Sequence, residues 1–206
     1  MSAPPAVISD ASMPPISAAN IAWQLPPRGR AGMYCLISAE SAIFTIFVVA
    51  YLFYIGKSLT GPTPKEVLHA PIFFSVCLLS SSLTIHLAVQ SLKRAKVGAF
   101  ALWWFLTLSL GAIFLYGTAR EWRHLIYDEG LTIQTNLFGT TYYSLVGLHA
   151  FHVTVGLLAI TTVLLFALLG YVKQEHGERV DVLALYWHFV DAVWVIVFTV
   201  VYVIGR

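Results

Sequence analysis

Charged residues are what this sequence has least of. Only 11% of its 206 residues are Asp, Glu, Lys or Arg, against roughly a quarter in an ordinary soluble domain. Hydrophobic residues make up 58%, and the mean hydropathy is +0.78. Because a soluble domain needs a charged, hydrated surface, this composition excludes that class and indicates an integral membrane protein.

A basic surface and a cysteine framework are also missing. The net charge is only +2, and no basic run with interleaved aromatic residues occurs, which excludes a nucleic-acid-binding protein. The two cysteines, Cys35 and Cys77, both fall inside apolar runs. They predict neither a disulfide nor a cysteine-ligated metal, and we expect both to be buried as small hydrophobic side chains.

The amino-terminal segment lacks the apolar core of a signal peptide. Residues 1 to 27 contain six of the nine prolines, mixed with alanine and serine, and no apolar stretch of about 7 to 15 residues. Residues 1–30 are therefore predicted to be a flexible, Pro-rich tail outside the membrane. A membrane domain is predicted over 31–206.

Five long apolar runs follow this tail. A helix rises about 1.5 Å per residue, so about 20 apolar residues cross a hydrocarbon core of about 30 Å. The sequence predicts an all-α fold, a polytopic bundle of five transmembrane helices, with spans at about 31–56, 70–92, 97–119, 138–170 and 182–203. The third span is expected to continue as an amphipathic turn to His124. The KQEHGERVD segment before the last span is predicted to be a polar loop.

Lysine and arginine are distributed unequally between the two ends of these spans. Seven lie on the side of the amino-terminal tail and five on the other side. The KRAK cluster between the second and third spans contains no acid. Because loops rich in lysine and arginine stay in the cytoplasm, we expect a cytoplasmic amino terminus and an external carboxyl terminus.

Five ionisable residues inside the spans are the candidate site. An ionisable group facing lipid costs at least about 2.5 kcal/mol, so each should face protein. They are Glu40, His149, His152, His188 and Asp191. All fall near the middle or the inner half of the membrane at about 1.5 Å per residue, which predicts one buried, proton-linked polar layer. We expect Glu40 to be protonated or to share a proton with a histidine, and Gly147 and Gly156 to let helices approach closely.

The histidines leave a cofactor open as an alternative. His149 and His152 have an i, i+3 spacing that metal ligands can use on a helix, and a haem would need two of His86, His149 and His188. The favoured interpretation is a hydrogen-bonded core without metal. A visible absorption spectrum of the isolated chain would distinguish it from a self-contained cytochrome. A proton-coupled transporter is disfavoured because the sequence has no internal repeat or broken-helix pair.

Three further residues are candidate contacts with another subunit. Glu121 lies at the water-exposed end of the third span, where its carboxylate can pair with a second chain. Trp187 and Trp194 share a face of the last span with its polar residues. Tryptophan at such positions also serves packing and interfacial anchoring, which is the alternative for both.

Three segments together resemble one known family. SAESAIFTIFVVAYLFY, with Glu40, resembles a carboxylate-bearing helix of the cytochrome c oxidase subunit III family. NLFGTTYYSLVGLHAFHVTVG resembles its histidine-bearing helix, and YWHFVDAVW is similar to its terminal helix nearly letter for letter. The resemblance covers the chain from about Gly32 to the end.

This resemblance implies a function, partners and a location. Members are helical bundles without redox cofactors that pack against subunits I and II of haem-copper terminal oxidases, where the haems and copper lie. These oxidases reduce oxygen to water and pump protons, and the family binds phospholipid, stabilises the complex and supports proton uptake. We therefore expect a multi-pass protein of the bacterial plasma (inner) membrane, with other oxidase subunits, phospholipid and a respiratory supercomplex as partners. No catalytic residue is expected in this chain.

The resemblance leaves the electron donor open. Many members have seven helices, two of which bound a lipid-filled cleft, whereas here a Pro-rich tail precedes five spans. Five-helix versions occur in cytochrome c oxidases and in quinol oxidases, and related proteins accompany nitric oxide reductases. The sequence contains no donor site that distinguishes these homologues.

Overall fold

Helices form every long element of the computed structural model, which describes residues 27–58, 61–68 and 70–205. They are α1 (Arg28–Tyr54), α2 (Pro64–Val67), α3 (Ile72–Lys93), α4 (Val97–Tyr127), α5 (Leu137–Leu168) and α6 (Gly177–Phe198). A 3₁₀ turn, Gln174–His176, precedes α6, and a π-helical turn, Thr199–Ile204, continues it. Five of these helices are long and apolar enough to cross a membrane. The predicted five-span, all-α fold is confirmed.

Several helices extend past the apolar runs that predicted them. α4 is regular helix to Tyr127 and so includes the expected amphipathic turn. α6 begins at Gly177, so the predicted start near residue 182 and the longer loop before it are wrong. α1 begins at Arg28, inside the predicted tail, and residues 1–26 of that tail lie outside the described residues. Hydropathy marks where the hydrocarbon ends, whereas helical backbone hydrogen bonds continue into the polar region.

α6 lies at the centre of the bundle. It packs against α1, α3 and α5, and α4 packs against α3 and α5. In the most apolar stretch of α6, 50% of the residues are buried inside the chain, against 11% in α1. α1 buries only one edge, which includes Phe44 and Tyr51. Most of the α1 surface is therefore left to lipid or to another protein.

Both cysteines lie nearer the surface than expected. Cys35 on α1 is exposed, Cys77 on α3 is partly exposed, and both are free. The expectation that they are buried is wrong. Lipid tails are as apolar as a protein core, so an apolar run does not reveal which face of a membrane helix is buried.

Trp187 of α6 connects four helices at one point. Its ring fills the space beside Gly111 of α4 and Gly156 of α5, where an added Cβ would lie 2.9 Å and 2.7 Å from ring atoms. Its indole N–H donates to the Ser81 hydroxyl of α3 at 2.8 Å. The apolar body and the polar edge of the indole are thus both satisfied inside the bundle.

Two expectations about tryptophan and glycine need correction. Trp187 and Trp194 are 0% and 1% exposed, so they are core residues and not the predicted subunit contacts. Gly147 faces the Trp122 ring, as Gly156 faces that of Trp187. These glycines make room for indole rings rather than for the backbone of a neighbouring helix.

Candidate functional site

Glu40 forms a pair with one histidine. Its Oε2 lies 3.1 Å from Nε2 of His152, which joins α1 to α5. The other ring nitrogen, Nδ1, lies 2.8 Å from the Leu148 carbonyl oxygen. Because a carbonyl only accepts, Nδ1 carries a hydrogen, and Nε2 of a neutral ring is then bare. A single proton between Nε2 and Oε2 completes this hydrogen bond, whether it resides on the carboxyl or on the ring.

The Glu40–His152 pair lies at the edge of the bundle. The His152 side chain is 8% exposed and that of Glu40 is 22% exposed. Phe44 covers the imidazole with its ring centroid 5.0 Å away. The Tyr186 hydroxyl of α6 donates to the His152 carbonyl at 3.1 Å. The Glu40 side chain is therefore partly exposed on the outer surface of the chain within a membrane span.

A second polar group joins α3 to α6. The Ser82 hydroxyl donates to Asp191 Oδ2 and lies 3.0 Å from His188 Nδ1. Asp191 is 3% exposed, and its Oδ1 has no hydrogen-bond partner among the described residues. Ser82 is thus the partner from a neighbouring helix that His188 and Asp191 require. We call these three residues the Ser82 group.

His149 is enclosed by aromatic rings. It is 1% exposed and stacks on Trp194 with centroids 4.9 Å apart, while Phe114 approaches edge-on at 5.8 Å. Neither ring nitrogen of His149 has a hydrogen-bond partner in the part of the chain that the structure describes. The two histidines of the HAFH motif thus have different neighbours, His149 in the core and His152 on α1.

The five predicted site residues therefore form three separate contacts. Over residues 27–58, 61–68 and 70–205, no hydrogen bond joins the Glu40–His152 pair to the Ser82 group or either of them to His149. The single polar layer expected from depth alone is not formed. Depth along a helix places residues at one level but does not determine the direction in which each side chain points.

Serines of α3 are the partners that sequence reasoning missed. Ser75 and Ser81 accept hydrogen bonds from the indoles of Trp194 and Trp187 at 3.1 Å and 2.8 Å. The available signal was the SSS triplet at 80–82 inside an apolar span. Serine in a helix often bonds only to its own backbone, so the triplet did not identify a partner helix.

A cleft of about 280 Å³ opens at the end of the bundle where α1 begins and α3 ends. Asp181 of α6 binds Arg30 and, at 3.1 Å, Lys93. These ion pairs connect α1, α3 and α6 beside the opening. We call this opening the α1–α3–α6 cleft, and its lining includes Arg30, Tyr34, His86, Gln90, Lys93, Asp181 and His188.

A larger cleft, of about 740 Å³, opens at the opposite end beside α3 and α4. Phe74 is among its apolar lining residues, and Arg120, Arg123, His124 and Asp128 are among its polar ones. Glu121 lines the same cleft and accepts a hydrogen bond from the Tyr202 hydroxyl at 2.8 Å. The carboxylate predicted to contact another subunit is thus already engaged within its own chain.

The three histidines named for a cofactor do not all meet. His86 and His188 line the α1–α3–α6 cleft, whereas His149 is stacked inside the core. The described residues contain no group of three or more His, Cys, Asp or Glu side chains that could hold a metal ion. A chain without its own cofactor stays a prediction.

Comparison of the sequence with known families decides the assignment. The family model described as cytochrome c oxidase subunit III matches residues 29–206. This chain belongs to the cytochrome c oxidase subunit III family. The match includes all three segments on which the resemblance was based, which is therefore confirmed.

Individual subunit III relatives match over most of their length. Cytochrome c oxidase subunit 3 of Corynebacterium diphtheriae is 38% identical, over 84% of this chain and 86% of the relative. The protein of the same name from Alkalihalophilus pseudofirmus is 34% identical, over 84% and 85%. Quinol oxidase subunit 3 of Bacillus subtilis is 29% identical, over 84% and 86%. Relatives named for both electron donors thus occur.

Family membership gives these polar groups their setting. Subunit III proteins are parts of multi-subunit haem-copper oxidases of the respiratory chain. Five apolar helices make this subunit III chain a multi-pass membrane protein. The Glu40–His152 pair and the Ser82 group are therefore polar sites within the membrane part of an oxidase subunit.

Proposed function

We propose that this chain is a non-catalytic subunit that packs on catalytic subunit I of its oxidase, stabilises it and supports proton uptake. The observation that carries the proposal is Glu40, an ionisable residue whose side chain is 22% exposed at the outer surface of α1. An ionisable group facing lipid costs at least about 2.5 kcal/mol. A protein surface over α1 avoids this cost, and the family supplies subunit I as that partner.

The haems and copper of the complex are proposed to lie in partner subunits. Axial ligation needs a free imidazole nitrogen that points toward the metal. Of the three histidines named for a haem, His86 Nε2 lies 2.7 Å from the Gln90 amide nitrogen, His188 Nδ1 lies 3.0 Å from the Ser82 hydroxyl, and His149 is enclosed between aromatic rings. This engagement supports a role in assembly and proton handling rather than in electron transfer.

Phospholipid is proposed to bind in the larger cleft beside α3 and α4. Arg120 and Arg123 line it together with Glu121 and Asp128. Neither arginine has a carboxylate partner among the described residues, because Glu121 accepts from Tyr202 and Asp128 pairs with His124. Guanidinium groups bind phosphate with paired hydrogen bonds. The apolar side at Phe74 would contact an acyl chain. This combination supports a lipid whose headgroup carries phosphate.

Cytochrome c is the favoured donor of the proposed complex, and quinol is the second candidate. Relatives named cytochrome c oxidase subunit 3 are 34% and 38% identical, against 29% for the quinol oxidase protein. A homologue that accompanies a nitric oxide reductase is a weaker candidate. Partners such as subunit II follow from the first assignment.

Purification through this chain tests the proposed assembly. A tagged chain extracted in mild detergent is expected to bring down a haem-containing catalytic subunit, subunit II and phospholipid. The contact between permanently associated subunits is large and excludes water and lipid, so the association should survive mild detergent. A chain that runs alone, with a redox or transport activity of its own, would contradict the proposal.

Two matched variants locate the proposed interface. Ala39 on α1 and Ala112 on α4 are both exposed on the surface of the chain. Phenylalanine at Ala39 would overpack a protein contact at about 1 to 3 kcal/mol, so the affinity for the catalytic subunit should fall by roughly five- to 150-fold, and its recovery should fall with it. Ala112→Phe should leave recovery unchanged. Reduced recovery with Ala112→Phe and unchanged recovery with Ala39→Phe would show that the interface lies on α4 and not on α1.

The chain is further proposed to lie in the bacterial plasma membrane with its amino terminus in the cytoplasm. The Lys and Arg count and the acid-free KRAK cluster support this orientation. A reporter fused after Arg206 is then expected to be active only on the outer face. Cytoplasmic activity at that end would reverse the orientation.

A further inference from the structure

Asp191 is the buried group for which assembly gives no explanation. It is 3% exposed, Ser82 is its hydrogen-bond partner, and its Oδ1 has none among the described residues. A carboxylate with one satisfied oxygen is costly in a membrane core, whereas a protonated carboxyl is neutral. A proton is therefore the natural ligand of this position, and it needs a route.

The Ser82 group has the hydrogen-bond order of a proton relay. Ser82 has a single hydroxyl hydrogen and donates it to Asp191 Oδ2. Its oxygen can then only accept from His188, whose Nδ1 lies 3.0 Å away. His188 Nδ1 thus carries a hydrogen, and its Nε2 is on the far side of the ring. Donors and acceptors alternate from His188 through Ser82 to Asp191.

The outer end of this relay opens into the α1–α3–α6 cleft, which His188 lines. A volume of about 280 Å³ holds several waters, since each occupies about 30 Å³ in the liquid. The charged or titratable groups that face His188 there are Arg30 and Tyr34 of α1, His86 and Lys93 of α3, and Asp181 of α6. Arg30 and Lys93 each form an ion pair with Asp181. Water can therefore reach the imidazole at a polar membrane edge.

We propose that Asp191 is a proton-binding site loaded from the α1–α3–α6 cleft through His188 and Ser82. A hydronium ion in the cleft gives a proton to His188 Nε2 and becomes water, the Nδ1 proton passes to Ser82 Oγ, and the Ser82 proton passes to Asp191 Oδ2. One proton enters and one is bound. His188 ends with its proton on Nε2, and the three transfers run in reverse restore the starting order: Asp191 Oδ2 returns its proton to Ser82, Ser82 gives its own to His188 Nδ1, and Nε2 releases one to water in the cleft.

This route is distinct from the Glu40–His152 pair. Neither member of that pair lines the α1–α3–α6 cleft, and no hydrogen bond among the described residues joins it to the Ser82 group. Asp191 Oδ1, the other carboxyl oxygen, has no hydrogen-bond partner among the described residues. The route therefore ends at Asp191 and stores a proton rather than conducting it across the membrane.

The physiological role of the route, which is to supply protons during uptake by the oxidase, rests on the proposed function. The route itself does not. Copurification tests the assembly, and proton exchange at Asp191 tests the route. A chain that bound no oxidase could still exchange a proton at Asp191. An assembled complex could equally fail to do so, and the two failures are therefore distinguishable.

Infrared difference spectroscopy of the purified complex in water and deuterated buffer measures this exchange. We expect a protonated-carboxyl band that shifts in deuterated buffer and that Asp191→Asn removes. Ser82→Ala should slow the shift by roughly tenfold or more, because a positioned relay contributes at least that much to proton transfer. Ser80→Ala is the matched control, since Ser80 is exposed two residues away on the same helix.

Three outcomes would overturn the route. The first is a carboxyl spectrum that Asp191→Asn leaves unchanged over the whole accessible pH range. The second is exchange in Ser82→Ala as fast as in Ser80→Ala. If Ser82→Ala does not fold, His188→Gln provides the same test, because an amide keeps a hydrogen bond but cannot relay a proton. Wild-type exchange in that variant is the third.

Discussion

Alanine in place of Gly156 is expected to destabilise the bundle by about 1 to 3 kcal/mol, although it adds a single methyl group. The new Cβ would lie 2.7 Å from the Trp187 ring and 3.3 Å from the Tyr186 ring. Trp187 cannot move away, because its indole N–H is bonded to Ser81 and Gly111 bounds its other side. The strain is shared by α3, α4, α5 and α6.

Trp187→Ala should cost more, about 3 to 5 kcal/mol, because it leaves a cavity where four helices meet. The matched control is Gly98→Ala, since an added Cβ there has no atom within 4 Å. Thermal unfolding of the purified chain, followed by size-exclusion chromatography, should rank Trp187→Ala below Gly156→Ala and leave Gly98→Ala at wild-type stability. Equal stability of all three variants would show that the Trp187 contact does not hold the bundle together.

The long elements of this fold could be predicted from the sequence because the membrane imposes one simple rule. A span must be apolar over about 20 residues, and five runs satisfy that rule. The helix ends were less predictable. Gly177 and Tyr127 are helical residues outside the apolar runs, where no change in hydropathy marks the end of the helix.

The candidate site was predicted in its residues but not in its partners. Glu40 and His152 meet as their matching depth suggested. His149 lies about one helical turn from His152 on α5, but its ring stacks on Trp194 instead. The rotation of a helix about its own axis determines which neighbour each side chain meets. This rotation is hard to predict from the sequence of an apolar helix with lipid on one side, because the lipid-facing and protein-facing residues are equally apolar. Ser82 was missed for the same reason, because its role depends on α6 lying opposite.

Glu40→Ala is expected to loosen the association with the catalytic subunit. It leaves Nε2 of His152 without its partner, and an unsatisfied buried polar group costs about 1 to 3 kcal/mol. The pair lies at the edge of α1 proposed to contact subunit I, so recovery of that subunit through the tagged chain should fall. Ser41→Ala is the control, because the Ser41 hydroxyl is exposed and bonds only to the Ile37 carbonyl of its own helix.

Glu40→Gln should assemble normally. The glutamine amide has nearly the same shape and can donate to the bare Nε2 of His152, while Nδ1 continues to donate to Leu148. This variant therefore keeps the hydrogen bond and removes only the acidic carboxyl. Its expected effect is limited to the pH dependence of proton uptake.

Oxygen consumption by the assembled Glu40→Gln complex, normalised to its haem content, is the most direct test of a non-catalytic subunit. The rate at neutral pH is predicted to stay within about twofold of wild type, a difference of about 0.4 kcal/mol in activation free energy. Complete loss of oxygen reduction in a fully assembled Glu40→Gln complex would contradict the account, because it would make a residue of this chain essential to the reaction.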